Sequence, residues 1–386
     1  MTLVTAAAVV LHDRMCRPGW LEISGDRIVA CGEGTAPRAA DFDFPNCVVV
    51  PGFVDMHVHG GGGFSYSTDV AATAWFHRDH GTTSTLASLV TASPLDLLEQ
   101  VRVLADATRD GTIAGIHLEG PWLSSVRCGA HDATQLREPD PAEIDALLAA
   151  ADGTIRMVTI APELPGADAA IERLVDAEVV VAVGHTDASY ELTKHAVRMG
   201  ATVGTHVFNA MRPLHHRDPG PALALLEDPR VTVELIADGV HVHPALVHQV
   251  AQTAGADRVA LITDAMAAAG LGDGSFRLGP LDVEVSGSVA RVHGRTTIAG
   301  STATMDALFR TAATGLEPAS DAAMLHAVAM TSTTPARALG IDGAGCLQPG
   351  ANADLVVLDQ QLHVHAVMAR GVWTKNAAAP TGDARL

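Results

Sequence analysis

The sequence predicts an α/β protein, a (β/α)8 TIM-type barrel with a small β-sandwich domain formed by both chain ends. Three observations support this fold class. Eight apolar segments alternate with helical segments over about 210 residues, which is the pattern of an eight-stranded α/β barrel. Strand-like segments occur near both ends of the chain. Histidine and acidic side chains follow several of the apolar segments, at the barrel end where active sites lie.

The two ends of the chain have the pattern of β structure. Segments 3–11, 20–23 and 27–31 are strand-like, with a polar turn before the third. Segments 355–358 and 364–372 are strand-like again. We therefore expect residues 1–50 and 344–386 to form one small β domain, and residues 51–343 to form the barrel.

Between the ends, strands and helices alternate. The predicted barrel strands are 52–56, 82–86, 115–118, 155–160, 179–183, 202–205, 231–236 and 259–263. The predicted helices are 70–79, 94–110, 141–151, 167–177, 189–199, 222–227 and 244–254, with Ser189 and Pro244 as start signals. The glycine-rich segment 270–300 predicts an inserted hairpin. The alternative fold, a doubly wound open sheet, would need a phosphate-binding glycine motif, and Gly60–Gly63 lacks its spacing.

Composition narrows the class of protein. Of 386 residues, 48% are hydrophobic and 18% are charged, so the chain can bury a large core. The net charge is −19, which argues against nucleic-acid binding because that requires a basic face. No apolar run reaches about 18 residues, so no membrane span is expected.

The cysteines and the N-terminus predict a cytoplasmic protein. The five cysteines are odd in number and contain no Cys-x-x-Cys, which indicates free thiols in a reducing compartment. The first residues lack the basic region of a signal peptide.

Polar residues at the predicted strand ends indicate a metal site. His57 and His59 are two residues apart, so a strand would place both imidazoles on one face. The other strand ends carry Glu119, His185, His206 and Asp264. Each could be an ordinary capping or loop residue. Together, imidazoles and carboxylates at successive strand ends suit a divalent cation such as Zn²⁺ or Fe²⁺.

Other catalytic chemistries have weaker support. The sequence contains neither a Gly-x-Ser-x-Gly elbow nor a His-Glu-x-x-His zinc motif. Cys128 lies near His131, so a thiol nucleophile is conceivable, although nothing else nearby supports it.

These residues also carry a family resemblance. The stretch from Pro51 to Gly60 resembles the first-strand motif of the amidohydrolase superfamily. Narrower motifs around Glu119, His131, His185, Asn209, His241 and Asp264 resemble its N-acetylglucosamine-6-phosphate deacetylase family. The resemblance covers essentially the whole chain, including the β domain from both ends.

The resemblance implies a metal-dependent hydrolase that removes the N-acetyl group of N-acetylglucosamine 6-phosphate. It implies that Glu119, His185 and His206 hold the main metal, while His57 and His59 can take part in a second site, giving one or two ions per chain. It further implies catalytic roles for Asp264, as general base and then acid, and for His131, as donor to the carbonyl oxygen. The implied substrate contacts are Asn209, Ala210, His241 and Arg217, with Arg217 reaching the neighbouring site of a homodimer.

Alternatives stay open at this point. The same chemistry could act on another N-acylated sugar, such as N-acetylgalactosamine 6-phosphate, because epimers differ by one hydroxyl. A barrel without catalysis that serves as a binding protein is a second alternative. Another amidohydrolase reaction, such as ring opening or deamination, is a third.

Overall fold

The structure is a computed structural model that describes residues 1–315 and 320–375. In chain order, its strands are β1 (Thr2–Val10), β2 (Met15–Cys16), β3 (Gly19–Ser24), β4 (Arg27–Glu33), β5 (Phe42–Pro51), β6 (Phe53–Val58), β7 (Gly60–Gly61), β8 (Phe64–Ser65), β9 (Thr82–Val90), β10 (Gly115–Glu119), β11 (Ile155–Ile160), β12 (Val180–Val183), β13 (Ala201–Gly204), β14 (Thr232–Leu235), β15 (Val259–Leu261), β16 (Gly274–Leu278), β17 (Leu281–Ser286), β18 (Val289–Val292), β19 (Leu355–Leu358), β20 (Val364–Ala369) and β21 (Val372–Lys375). Its α-helices are α1 (Val70–Asp79), α2 (Pro94–Arg109), α3 (Pro141–Ala151), α4 (Ala167–Asp176), α5 (Tyr190–Met199), α6 (Gly220–Glu227), α7 (Pro244–Ala254), α8 (Met305–Gly315), α9 (Asp321–Val328) and α10 (Thr334–Ala338).

Strands from both chain ends build one eight-stranded sheet, in the order β21-β20-β19-β5-β1-β3-β4, with β2 paired to β1. Strand β5 lies between β1, to which it is parallel, and β19, to which it is antiparallel. This pairing confirms the predicted domain from both chain ends. Its core contains buried apolar side chains from both ends, such as Val4, Phe44 and Leu355.

The eight predicted barrel strands form a second sheet, in the order β15-β14-β13-β12-β11-β10-β9-β6. The ladders from β9 through β15 are parallel. At the carboxyl ends of the first and last strands, the Asp264 N–H donates to His57 O at 2.9 Å, and the His59 N–H donates to Ala265 O at 2.9 Å. These bonds nearly close the sheet, which confirms the (β/α)8 barrel.

The helices between the barrel strands begin near the predicted positions. The Ser189 side chain accepts a hydrogen bond from the Leu192 N–H at 3.2 Å and so caps α5. Pro244 is the first residue of α7, where its missing N–H would have had no intrahelical partner. Helix α5 buries Thr193, Ala196 and Val197, the one-sided pattern of a helix that packs against a sheet.

The segment predicted as an inserted hairpin forms a three-stranded antiparallel sheet of β16, β17 and β18. Its buried face, which includes Leu278 and Val283, packs against Met266 and Ala268. Met266 and Ala268 follow the last barrel strand. The packing therefore places this sheet beside the segment that carries Asp264.

The chain divides into two compact units. One comprises Met1–Val54, His77–Ser84 and Met305–Leu386, and the other comprises Asp55–Phe76 and Thr85–Thr304. The first unit therefore contains helices α8 to α10 besides the chain-end sheet. The boundaries expected from the sequence, 1–50 plus 344–386 against 51–343, stay a prediction, and residues 376–386 of that domain lie outside the described residues.

None of the helices in residues 1–315 and 320–375 has the length and apolar character needed to cross a membrane. All five cysteines are free thiols.

Candidate metal centre and active site

The predicted metal-site residues lie at the carboxyl ends of the barrel strands. His57 lies in β6 and His59 follows it, while Glu119 is the last residue of β10. His185, His206 and Asp264 come shortly after β12, β13 and β15. Because these strands are parallel, their carboxyl ends face the same side of the barrel, and the side chains converge there.

Three of these residues have a strained backbone. The φ angles of His185, His206 and Asp264 are 45°, 25° and 47°, in the left-handed region that residues with a Cβ disfavour. Such a conformation costs on the order of 1–3 kcal/mol per residue. The chain turns sharply at each strand end, and this turn aims the side chain into the mouth of the barrel. Strain repeated at three converging residues is typical of a functional site.

Glu119 is at the centre of the cluster. Its Oε1 lies 3.0 Å from His185 Nε2 and 2.9 Å from His206 Nε2. Its Oε2 lies 3.2 Å from His59 Nε2 and 3.3 Å from His131 Nε2. His57 Nε2 lies 3.5 Å from Oε1 as well. A buried carboxylate in contact with five imidazoles needs compensating positive charge, either as protons on the rings or as a cation.

Asp264 also contacts the His57 and His59 rings. Its Oδ1 lies 3.1 Å from His59 Nε2 and 3.7 Å from His57 Nε2. The two Nε2 atoms are 3.3 Å apart. Donor atoms within 4.8 Å of one another form three overlapping sets: His57, Glu119 and His206; His57, His59 and Asp264; Glu119, His131 and His185.

The hydrogen bonds at Nδ1 of three imidazoles indicate that their Nε2 atoms, which face Glu119, can bind a cation. His59 Nδ1 lies 3.0 Å from Ser88 O, and His185 Nδ1 lies 2.9 Å from Arg127 O. A carbonyl oxygen only accepts, so each Nδ1 carries a proton, and each Nε2 is left to bind either a second proton or a cation at the centre. His57 Nδ1 lies 3.2 Å from Glu234 Oε2, which gives it the same orientation. This arrangement is the one that orients metal-ligating histidines in proteins, so the donor set fits a divalent metal ion.

The charges of the cluster perturb its pKa values strongly. Burial lowers the pKa of His59, but hydrogen bonds to Asp264 and Glu119 outweigh it and raise the pKa to about 9. Burial raises the pKa of Asp264, yet its contacts with His59 and His57 bring the pKa to about 2. For Glu119, burial is likewise outweighed by the nearby imidazoles, which hold its pKa well below the usual value. Both carboxylates are therefore ionised, and a cation can replace the protons that balance them.

His131 differs from the other imidazoles in its protonation. The Thr91 N–H donates to His131 Nδ1 at 3.2 Å, so this nitrogen is bare and the proton is on Nε2. Burial lowers the pKa of His131 to about 4, which keeps the ring neutral. His131 thus presents an N–H donor at Nε2 to the centre.

A cavity of about 320 Å³ opens above this cluster. Asn209, Ala210 and His241 line it together with Glu119, His131 and Asp264. The structure therefore brings the predicted substrate-binding residues together with the metal-site residues, with one exception. Arg217 is exposed and does not line this cavity in the described chain; its guanidinium lies 2.9 Å from His216 Nε2. Cys128 is half-buried, and its thiol lies 3.9 Å from Gly129 O.

The structure adds residues that the sequence analysis did not identify. Glu234 is fully buried, and besides His57 its Oε2 accepts from the His206 N–H at 3.2 Å. Asp55 Oδ2 accepts from the Thr263 hydroxyl at 2.5 Å, and burial raises the Asp55 pKa to about 7. The sequence did carry a signal for both, because each is a carboxylate inside a short strand of mainly apolar residues, where an unpaired buried charge is costly.

Comparison with known proteins identifies the family of the chain. The model of the amidohydrolase family matches residues 48–379. The chain therefore belongs to the amidohydrolase family, which confirms the resemblance inferred from the sequence.

Several relatives of the chain are named as deacetylases of N-acetyl amino sugar phosphates. The chain is 39% identical to N-acetylglucosamine-6-phosphate deacetylase of Bos taurus, over 88% of this chain and 86% of the relative. It is 38% identical to N-acetylgalactosamine-6-phosphate deacetylase of Escherichia coli O157:H7, over 92% and 95%. Among solved structures, the D267A mutant of N-acetyl-D-glucosamine-6-phosphate deacetylase from Mycobacterium smegmatis, in complex with N-acetyl-D-glucosamine-6-phosphate, is 56% identical with a TM-score of 0.95, covering 97% of this chain and 99% of that one.

Proposed function

We propose that this chain hydrolyses the N-acetyl group of N-acetylglucosamine 6-phosphate to give glucosamine 6-phosphate and acetate. One observation carries the proposal: a single cavity joins the cluster of ionised carboxylates and oriented imidazoles to Asn209, Ala210 and His241. The similarity to a deacetylase that was solved with this substrate supports it.

The centre would hold a divalent metal, Zn²⁺ or Fe²⁺, as one or two ions per chain. Glu119, His185 and His206 would hold the main ion, because both imidazoles meet Glu119 at the same oxygen. His57, His59 and Asp264 would hold a second ion, with Glu119 between the two. When bound, such a cation polarises the amide carbonyl and lowers the pKa of water.

Asp264 and His131 would move and hold the protons of the reaction. Asp264 is ionised and borders the cavity, so it can take a proton from the attacking water and then give it to the departing nitrogen. His131 Nε2–H would donate to the carbonyl oxygen as negative charge develops there. One such donor contributes about 100- to 1,000-fold in rate.

Asn209, Ala210 and His241 would bind the sugar phosphate. His241 Nδ1 lies 2.8 Å from Asp238 Oδ2, and its pKa is raised because the Asp238 hydrogen bond outweighs burial. The ring is thereby held with Nε2 free to contact a hydroxyl or a phosphate oxygen. This is how a chain with a net charge of −19 can bind an anion, through a few local donors.

Arg217 would contribute from a second copy. Its exposure outside the cavity of its own chain is compatible with a homodimer in which Arg217 reaches the neighbouring phosphate. The cytoplasmic location is likewise a proposal, which rests on the five cysteines without a pairing motif.

N-acetylgalactosamine 6-phosphate is the second candidate substrate. The deacetylase named for it matches this chain at 38% identity, close to the 39% of the N-acetylglucosamine 6-phosphate enzyme from Bos taurus. The two sugars differ in one hydroxyl, and overall identity does not separate them.

Acetate release by the purified, metal-supplied protein tests both candidates. We expect turnover of N-acetylglucosamine 6-phosphate to exceed that of unphosphorylated N-acetylglucosamine by at least about 100-fold in kcat/KM, because charged hydrogen bonds to the phosphate contribute about 3 kcal/mol. Faster turnover of the galacto epimer would select the second candidate. Equal turnover with and without phosphate would contradict the roles of Asn209, Ala210, His241 and Arg217.

A further inference from the structure

A second cavity, of about 390 Å³, adjoins the reaction centre. It is bounded by the end of β9, the first turns of α2 and the turn between β16 and β17. It shares three lining residues with the first cavity: His59, Val90 and Leu278. The proposed deacetylation makes no use of this space.

Two side chains form the wall between the cavities. Val90 ends β9 and Leu278 ends β16. The turn packs directly on Val90, because a Cβ on Gly279 would lie only 2.8 Å from Val90 Cγ2. Leu278 is 7% exposed and belongs to the hairpin core. The wall therefore consists of two side chains that are held in place by their strands. Shortening either side chain would join the two cavities.

The orientation expected for the substrate would point its acyl chain towards this wall. Asn209, Ala210 and His241 line the first cavity and not the second. The amide nitrogen is bonded to the sugar, so the acyl chain leaves the carbonyl carbon on the side away from the sugar and its phosphate. Of the apolar side chains in the first cavity, Val90 and Leu278 are the two that also border the second.

We propose that Val90 and Leu278 set the length of the acyl group that is removed, and that the second cavity is a subsite for a longer acyl chain when this wall is opened. The inference rests on the proposed function. The reaction itself is unchanged: the water oxygen bonds to the acyl carbon, the C–N bond breaks with its electrons on nitrogen, and nitrogen takes the proton. The products are the amino sugar phosphate and a longer carboxylic acid.

The lining defines the class of acyl group. Ser93, Gln100 and Gln135 supply neutral polar groups, and Asp96 and Asp132 supply carboxylates. Leu89, Val90, Leu278 and Pro280 supply apolar surface in the same cavity, so an uncharged propionyl or butyryl chain fits it. A succinyl chain, with its own carboxylate, would be repelled by Asp96 and Asp132.

The test compares kcat/KM for N-acetyl-, N-propionyl-, N-butyryl- and N-succinylglucosamine 6-phosphate. One methylene packed against apolar side chains, here Val90 and Leu278, changes discrimination by about 10- to 200-fold. We therefore expect wild type to prefer acetyl over butyryl by at least about 100-fold, and Val90→Ala to raise the butyryl-to-acetyl ratio at least about 10-fold. The matched control is Val103→Ala, at a valine that is 50% exposed on α2, and it should leave the ratio unchanged.

A second variant tests whether the acyl chain enters the second cavity. Gln100 lines only the second cavity, so Gln100→Trp in the Val90→Ala background should fill this space and reverse the gain on butyryl. Calorimetry in an Asp264→Asn background separates binding from chemistry, and Val90→Ala should tighten the binding of the N-butyryl compound there.

The outcomes are distinct. Retention of the butyryl gain in the double variant would overturn the subsite, and an unchanged ratio in folded Val90→Ala would overturn the wall. Turnover of N-succinyl equal to that of N-butyryl by Val90→Ala would contradict the charge argument. Absence of N-acetyl turnover in wild type would instead contradict the proposed function, and the wall with it.

Discussion

At the scale of single residues, Asp264 combines two requirements that conflict in most environments. A general base must be ionised, yet it must also be buried close to the reacting atoms. Burial alone would raise its pKa, but His59 at 3.1 Å and His57 at 3.7 Å reverse the effect. The positive φ of Asp264 indicates that the backbone is held in a disfavoured conformation to place this carboxylate.

Replacing Asp264 by asparagine tests its role in proton transfer. The amide keeps the size of the side chain but cannot accept a proton from water. We expect kcat for acetate release to fall about 1,000-fold, within the range that general acid–base groups contribute. Asp145→Asn, at an exposed carboxylate paired with Arg173, is the matched control and should retain activity. Activity of Asp264→Asn within 10-fold of wild type would exclude it as the base.

Glu234 is one of the residues that neither the spacing nor the family resemblance identified. It is fully buried and receives both His57 Nδ1–H and the His206 N–H on one oxygen. It therefore orients the ring of one candidate metal ligand and the backbone of another. Such outer contacts contribute about 10- to 100-fold to metal affinity.

Glu234→Ala should accordingly weaken metal retention. After dialysis at a fixed concentration of free metal, elemental analysis should find less metal per chain than in wild type, with about 10- to 100-fold weaker affinity on titration. Glu234→Gln keeps an acceptor oxygen, so its metal affinity should lie between those of Glu234→Ala and wild type. Equal metal content in Glu234→Ala and wild type, with the fold intact, would mean that Glu234 does not position the ligands.

At the scale of elements, the sequence predicted most of the barrel because each strand is a short buried apolar run. The predicted strand 82–86 nevertheless ends four residues early, since β9 continues to Val90. Its last part contains Ser88, whose hydroxyl accepts from the Val58 N–H and lies 2.8 Å from His117 Nδ1. Polar residues that serve an internal network break the apolar pattern, so periodicity underestimates strands near a functional site.

The position of His185 depends on the end of β12. Gly184 precedes His185, and a Cβ at Gly184 would lie 2.6 Å from Thr205 Cβ and 2.9 Å from Thr159 Cγ2. Both contacts belong to neighbouring barrel strands or their ends, which cannot move away independently. The motif around His185 thus contains a glycine for steric reasons.

Gly184→Ala should therefore destabilise the protein by about 1–3 kcal/mol, the cost of overpacking a tight core. Denaturant unfolding measures this free energy. Gly272 is the matched control, because a Cβ there meets nothing within 4 Å, and Gly272→Ala should change stability by less than about 0.5 kcal/mol. Similar stabilities for the two variants would show that the strand ends yield to the added methyl group.

At the scale of the whole molecule, the sequence does not predict which atoms come together from segments that lie far apart in the chain. The strand-like ends predicted their common sheet, and the strand-end histidines and carboxylates predicted one centre. The three-dimensional distribution of hydrogen bonds was not predictable, because the Thr91 N–H leaves the proton of His131 on Nε2, whereas the Arg127 carbonyl holds the proton of His185 on Nδ1. Such contacts join residues 40 and 58 positions apart and leave no periodic pattern.

Metal removal connects this centre to the stability of the chain. Glu119 and Asp264 are buried carboxylates whose charges a cation balances better than protons on buried imidazoles do, so a bound cation should stabilise the folded state. A ligand present at about 1,000 times its Kd contributes about 4 kcal/mol. Each kcal/mol shifts the Tm by about 2–4 °C in proteins of 150–250 residues and by less in a longer chain. We therefore expect a chelator to lower the Tm by about 5 °C, with recovery when Zn²⁺ or Fe²⁺ is returned.

The control for this melting experiment is the Glu119→Gln variant. This substitution removes the central carboxylate charge, so the variant should bind little metal and its Tm should not respond to the chelator. A chelator effect of the same size in Glu119→Gln and wild type would mean that the cation binds elsewhere. No chelator effect in metal-loaded wild type would mean that the centre folds equally well with protons in place of the metal, and the stabilising role of the cation would be wrong.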